Sequence, residues 1–169
     1  MSLPFPVPTD HRATHADTLL SYLDYFRSVI VDKVHGLPDE ELRASRLVSG
    51  WTPLGLIKHL TYVELRWMVW GFAGERVEHP WADSRNGQWF VSEDERPVDL
   101  IDDLHRQAAR TRTIVRDHRL TDRGQPGPRW PDTEPATLER VLLHLIQEYA
   151  RHAGHLDVVR ELIDGRIGE

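Results

Sequence analysis

The sequence predicts an all-α four-helix bundle, and three observations carry that prediction. Four long stretches place their apolar residues three and four apart, the period of a helix face turned toward a core. No stretch alternates apolar and polar residues in the way a half-buried strand requires. The connections are rich in Pro, Gly and polar residues, and the second and third are long enough to permit crossover topology instead of a simple up-and-down order. At 169 residues, 40% hydrophobic and 28% charged, the chain has ordinary globular composition and enough interior for a core, so a single domain over residues 1–169 is expected.

The chain begins with Pro4, Pro6 and Pro8, which make residues 1–9 an extended N-terminal segment. Thr9 or Asp10 can then cap a first helix running to about Val34, with Leu19, Leu20, Leu23, Phe26, Val29, Ile30 and Val34 at helical spacing. Gly36 and Pro38 stop it, and residues 38–42 read as one short helical turn. The second long helix opens at Thr52-Pro53, where Thr is a natural cap and the N–H that Pro lacks would be unpaired anyway. It is expected to reach about Ala73, with Leu56, Leu60, Val63, Trp67 and Trp70 on its apolar face and His59 among them.

Residues 74–97 form a long connection carrying Trp81, Trp89 and Phe90, with Asn86-Gly87 as a turn. Its aromatic residues either wall the mouth of a pocket or cover a helix end. Pro97 opens the third helix, which passes through Leu100, Ile101, Leu104, Ala108, Thr111, Ile114 and Val115 and ends near His118. A second loop over residues 121–134 leads into the last helix, which begins at Leu138 and closes at Gly165.

Composition excludes several function classes. A formal net charge of −6 argues against nucleic acid as the main partner, since phosphate neutralisation needs a basic face. Lysine is limited to Lys33 and Lys58, and the abundant arginines alternate with acids as on a solvated surface. Cysteine is absent, which removes disulfides, thiolate metal sites and a cysteine nucleophile, so any metal must be held by His and carboxylate. No apolar run approaches the roughly 20 residues needed to span a bilayer, and no basic-then-apolar leader opens the sequence. A cytoplasmic protein with no membrane partner is expected.

The chemistry concentrates on the last helix. Leu138, Val141, Leu145, Tyr149, Leu156 and Val159 make its core stripe, and His152 lies in the middle of it, with Glu148 one turn before and His144 one turn earlier again. Polar groups placed there need partners, because an unpaired buried one costs about 1–3 kcal/mol. Glu148 and His152 are four apart, a spacing that lets both reach one ion, and His59 of the second helix offers a third ligand. A single inward His is more often a packed core residue than a ligand; the matching pair on a second helix changes that balance. His144 and His155 lie near the stripe as candidate supports for the ligands, and Trp67 and Trp70 are candidate pocket walls.

Residues 50–60 (GWTPLGLIKHL) and 148–157 (EYARHAGHLD), followed by RELIDG at 160–165, resemble the DinB-like superfamily over nearly the whole chain. Within it the sequence is closest to an actinobacterial branch related to the metal-binding domain of mycothiol-dependent maleylpyruvate isomerase. The resemblance implies a four-helix bundle with a divalent metal bound by His59, Glu148 and His152, the Glu standing where many relatives have a second His. It implies zinc as the metal, with nickel, iron or manganese compatible with the same donors. It also implies transfer chemistry in which the metal activates the thiol of mycothiol or bacillithiol for attack on a small electrophile, and a homodimer. The isomerases carry a further C-terminal domain that is not in this sequence, so thiol S-transfer is expected here instead of isomerisation. The competing reading, from a different class, is a non-catalytic metal-binding or stress-related helical bundle.

Overall fold

The structure, a computed structural model, describes residues 3–168. The first two residues of the expected extended segment, and residue 169, lie outside the described residues. Leu3 to Val7 is free of regular structure, and the first helix starts later than the sequence suggested. It is α1, His15–Val34, and its cap is Thr14, whose hydroxyl accepts from the Asp17 N–H. Thr9 and Asp10 instead belong to a turn closed by the Asp10 N–H on the Val7 carbonyl. The short α2 follows at Asp39–Arg43.

The second long helix is in two parts. The α-helix α3, Pro53–Glu64, is capped by Thr52, which accepts from the Gly55 N–H at 3.0 Å. It continues as a π-helical segment, Leu65–Phe72, in which Ala73 donates to Met68 five residues back. A π turn frees carbonyls for other donors. One of them, Gly71 O, accepts from the Trp130 indole at 2.8 Å. The third long helix is α4, Pro97–Asp117, and the last is α5, Leu138–Asp164, capped by Thr137 and ended by Gly165 in the left-handed conformation.

The all-α class holds, and the second connection adds one very small hairpin to it. Asn86 and Gly87 both take positive φ, and they link two very short strands, β1 (Ser84–Arg85) and β2 (Gln88–Trp89), paired antiparallel. Asn-Gly is the pair that supplies the two positive φ angles of a tight hairpin at low cost. The ribbon closes with the Phe90 N–H on the Asp83 carbonyl at 2.8 Å.

Packing sets the topology. Helix α1 lies chiefly on α5 and α3 chiefly on α4, with further contacts of α3 to α5 and of α1 to α4. Successive long helices α1 and α3, and likewise α4 and α5, therefore stand diagonally across the bundle, while the longest connection joins the neighbours α3 and α4. The crossover arrangement holds, but the connections that cross are the first and third, not the second and third.

The core is mainly apolar. Leu23, Ile30, Leu54, Leu60, Leu104, Leu142 and Leu145 fill it. Among them Glu64, with no exposed surface, accepts from Arg27 at 2.5 and 3.2 Å and from the Tyr149 hydroxyl at 2.8 Å. Burial and the Glu64 charge together hold the Tyr149 hydroxyl well above its usual pKa, so it stays a donor. Among the described residues no helix is long and apolar enough to cross a membrane.

Candidate metal centre

Helices α3 and α5 lie side by side, and their facing surfaces bring His59, Glu148 and His152 together. One ligand atom from each lies within 4.8 Å of the others. His152 is 6% exposed; His59 and Glu148 are partly open. The His152 Nε2 stands 3.5 Å from Glu148 Oε2. Zinc bonds of about 2.0–2.2 Å at tetrahedral angles separate two ligand atoms by roughly 3.3–3.6 Å, so this edge already has the length the ion needs. Burial, with smaller effects from His59, His155 and Arg151, pulls the His152 pKa down to about 4. The ring is neutral near pH 7, and a neutral imidazole is the form that ligates.

The surroundings orient these rings. His59 Nδ1 faces Asp83 Oδ2 at 3.1 Å, which leaves Nε2 for the ion. Asp83 is 2% exposed and is gripped by Arg66 at 2.6 and 3.1 Å, and Arg66 in turn donates to the Pro80 carbonyl. Burial pushes the Asp83 carboxyl up. The hydrogen bonds from His59 and Arg66, and the Arg66 charge, outweigh that push and hold it below the usual carboxylate range. Trp89 stacks on His59, with ring centroids 4.2 Å apart and planes 19° from parallel, and meets His152 edge-on at 5.3 Å.

Each residue singled out from the sequence has a definite place. His155 Nδ1 lies 3.2 Å from His152 Nδ1, and its ring faces Trp51. His144 Nε2 lies 3.6 Å from Glu148 Oε1, with its ring edge-on to Trp67 at 4.6 Å. Trp67 thus stands at the seam between the second helix and α5, beside His144. Trp70 is half-buried and has none of the ring contacts that tie Trp67, Trp89 and Trp51 to the site histidines. Of the two loop tryptophans, Trp89 is a wall of the site, whereas Trp81 is 56% exposed and covers the Arg66 guanidinium.

Sequence reasoning missed Asp83, Arg66 and the stacking role of Trp89. The signal was present in Asn86-Gly87. A two-residue turn there pairs residue 84 with 89, which carries Asp83 and Trp89 to the same end of the ribbon. That this end meets His59 is decided by packing.

The fold and the His/Glu constellation define a DinB-like helical bundle, a class associated with divalent metals. A family model described as mycothiol-S-transferase matches residues 18–165, and the chain belongs to that family. No curated protein matches it. Among solved structures it is similar to a conserved protein from Enterococcus faecalis, at 15% identity and a TM-score of 0.63 over 92% of this chain and 100% of that one. At that identity the likeness concerns the fold alone.

Proposed function

We propose that the protein is a metal-dependent thiol S-transferase, in which His59, Glu148 and His152 hold one divalent ion, zinc by the nature of the donors, and a small thiol such as mycothiol or bacillithiol is the nucleophile. The observation that carries this reading is the convergence of those three ligand atoms from two helices within the matched region. A divalent ion bound there would supply the Lewis acidity that lowers a thiol's pKa toward neutrality.

The chain's own residues do the rest. Asp83 accepts from His59 Nδ1 and fixes the ring with Nε2 toward Glu148 and His152. Two neutral imidazoles and one carboxylate leave a site holding a divalent cation with a net positive charge, which suits an anionic sulfur. The stacked Trp89 and the buried flank of His152 keep water off one side of the centre. Three protein ligands leave positions for substrate, as catalytic sites do and closed structural sites do not.

Metal analysis of protein purified without an affinity metal column is expected to give one divalent ion per chain, lost in His59→Ala, Glu148→Ala and His152→Ala with helical content retained. Adding mycothiol or bacillithiol to the cobalt form is expected to produce a near-ultraviolet sulfur-to-cobalt band. Thiol consumption with an electrophile should then exceed that of His59→Ala. Full occupancy in His152→Ala removes the ligand assignment. A cobalt spectrum indifferent to thiols, with consumption equal to the variant's, makes the non-catalytic bundle the better account.

A further inference from the structure

The well-buried arginines of this protein come with carboxylates. Arg27 holds Glu64 and Asp24, Arg66 holds Asp83, and Arg160 holds Asp164. Arg129 departs from that pattern. It is partly buried, its Nε is enclosed without a hydrogen-bond partner, and among the described residues no carboxylate pairs with it. Its guanidinium lies 3.9 Å from the centre of the Trp67 ring and 5.8 Å from that of Trp130. Burial, and the positive charge of Arg66 nearby, both disfavour its charged form. A partly desolvated cation without a counter-ion is costly, and the faces of Trp67 and Trp130 compensate it in part.

The position is held firmly. The loop that carries Arg129 is tied to the end of the π segment by the Trp130 indole on Gly71 O at 2.8 Å and by the Gln125 N–H on Phe72 O at 2.9 Å. The aromatic ring beneath Arg129 is also the one that meets His144, which stands against Glu148. From His59 to Trp67 is about two helical turns, roughly 10–12 Å along the axis. Through Trp67 and His144, Arg129 therefore stands about two helical turns along the seam of the second helix and α5 from the His59, Glu148 and His152 cluster.

We infer that Arg129 is the binding residue for a carboxylate carried by one of the two substrates, an anionic molecule whose reacting end lies at the metal centre and whose carboxylate lies over Trp67. The inference rests on the thiol-transfer reading for what reacts at the metal centre. The planar guanidinium presents a fork of N–H donors that matches a carboxylate, and its single positive charge suits a monoanion. The carboxylate belongs either to the thiol or to its electrophilic acceptor, and the two sources are separable by experiment.

The first arm uses zinc-loaded protein and two probes of equal shape, hexanoate and hexanamide, with tryptophan fluorescence as the readout because Trp67 and Trp130 flank Arg129. Hexanoate is expected to bind roughly tenfold or more tightly than hexanamide. Arg129→Gln should abolish that preference, and Arg129→Lys, which keeps the charge and loses the fork, should restore only part of it. Absence of the preference in the unaltered protein, or its survival in Arg129→Gln, overturns the inference. These probes carry no thiol, so this arm is independent of whether cobalt responds to thiols.

The second arm measures thiol consumption with acrylate against acrylamide, and with N-acetylcysteine against its amide. Arg129→Gln is expected to raise KM roughly tenfold for whichever partner needs its carboxylate, leaving kcat and the KM of the neutral analogue nearly unchanged. That pattern names the source. Equal KM effects on charged and neutral partners overturn the inference while leaving the metal centre's assignment untouched.

Discussion

His59 shows how a ligand is prepared one residue at a time. Its ring is stacked beneath Trp89, and its Nδ1 is committed to Asp83, so a single nitrogen remains to face Glu148 and His152. Asp83 can play that part only because Arg66 neutralises it; a carboxylate this buried and unpaired would protonate instead. Asp83→Asn is therefore expected to weaken metal binding by roughly ten- to a hundredfold, the usual effect of losing a partner behind a metal-ligating His. Competition against a chromophoric zinc chelator measures it, and an affinity equal to that of the unaltered protein would rule out the orienting role. Trp70→Phe, by contrast, touches no ring of the site and should leave that affinity unchanged.

Two devices act at the scale of whole elements. The first is the Arg27, Glu64 and Tyr149 network, which joins α1, α3 and α5 through one carboxylate in a mainly apolar interior. Glu64→Leu leaves Arg27 short of its main partner and should cost about 3–5 kcal/mol in chemical denaturation, as breaking a buried pair from one side does. Tyr149→Phe loses one hydrogen bond to a charged group and should cost about 1.5–3 kcal/mol. The reverse order of the two losses would show that the hydroxyl, and not the ion pair, organises the network. The second device is the close approach of the third connection to the π segment. A Cβ at Gly124 would stand 3.0 Å from the Phe72 Cα and 3.1 Å from Gly71 O, both backbone atoms with little room to yield. Gly124→Ala is expected to cost about 1–3 kcal/mol as overpacking and to lower the melting temperature.

For the molecule as a whole, the proposed ion would link α3 to α5. An ion that binds only the folded state stabilises it by mass action, about 2.7 kcal/mol at a hundredfold excess over Kd. Zinc should accordingly raise the melting temperature, a chelator should reverse the rise, and His152→Ala should show neither change. Assembly is a separate matter. A homodimer is the expected state, and α5 carries apolar surface for it. Trp67 and Trp70 are partly enclosed, whereas Leu143, Val158 and Leu162 of α5 are each more than half exposed. Light scattering at micromolar concentration should report twice the chain mass, and a monomer there would end the expectation.

The sequence by itself determined the long helices, because each buries one stripe and a stripe leaves a period that can be read without its neighbours. Thr52-Pro53 and Gly165 marked their ends for the same reason: caps are local chemistry, satisfied within a turn. His59, Glu148 and His152 were legible as polar residues on apolar stripes. The start of α1 was misjudged because Thr9, Asp10 and Thr14 are chemically similar caps, and only the chain's path chose among them. Tertiary structure alone decided which helices lie side by side, since connection length does not fix a diagonal. It alone brought Asp83 and Trp89 from the hairpin onto His59, and Arg129 from the last loop onto Trp67. Those residues sit in segments without periodicity. Their roles come from long-range contacts that no local pattern encodes.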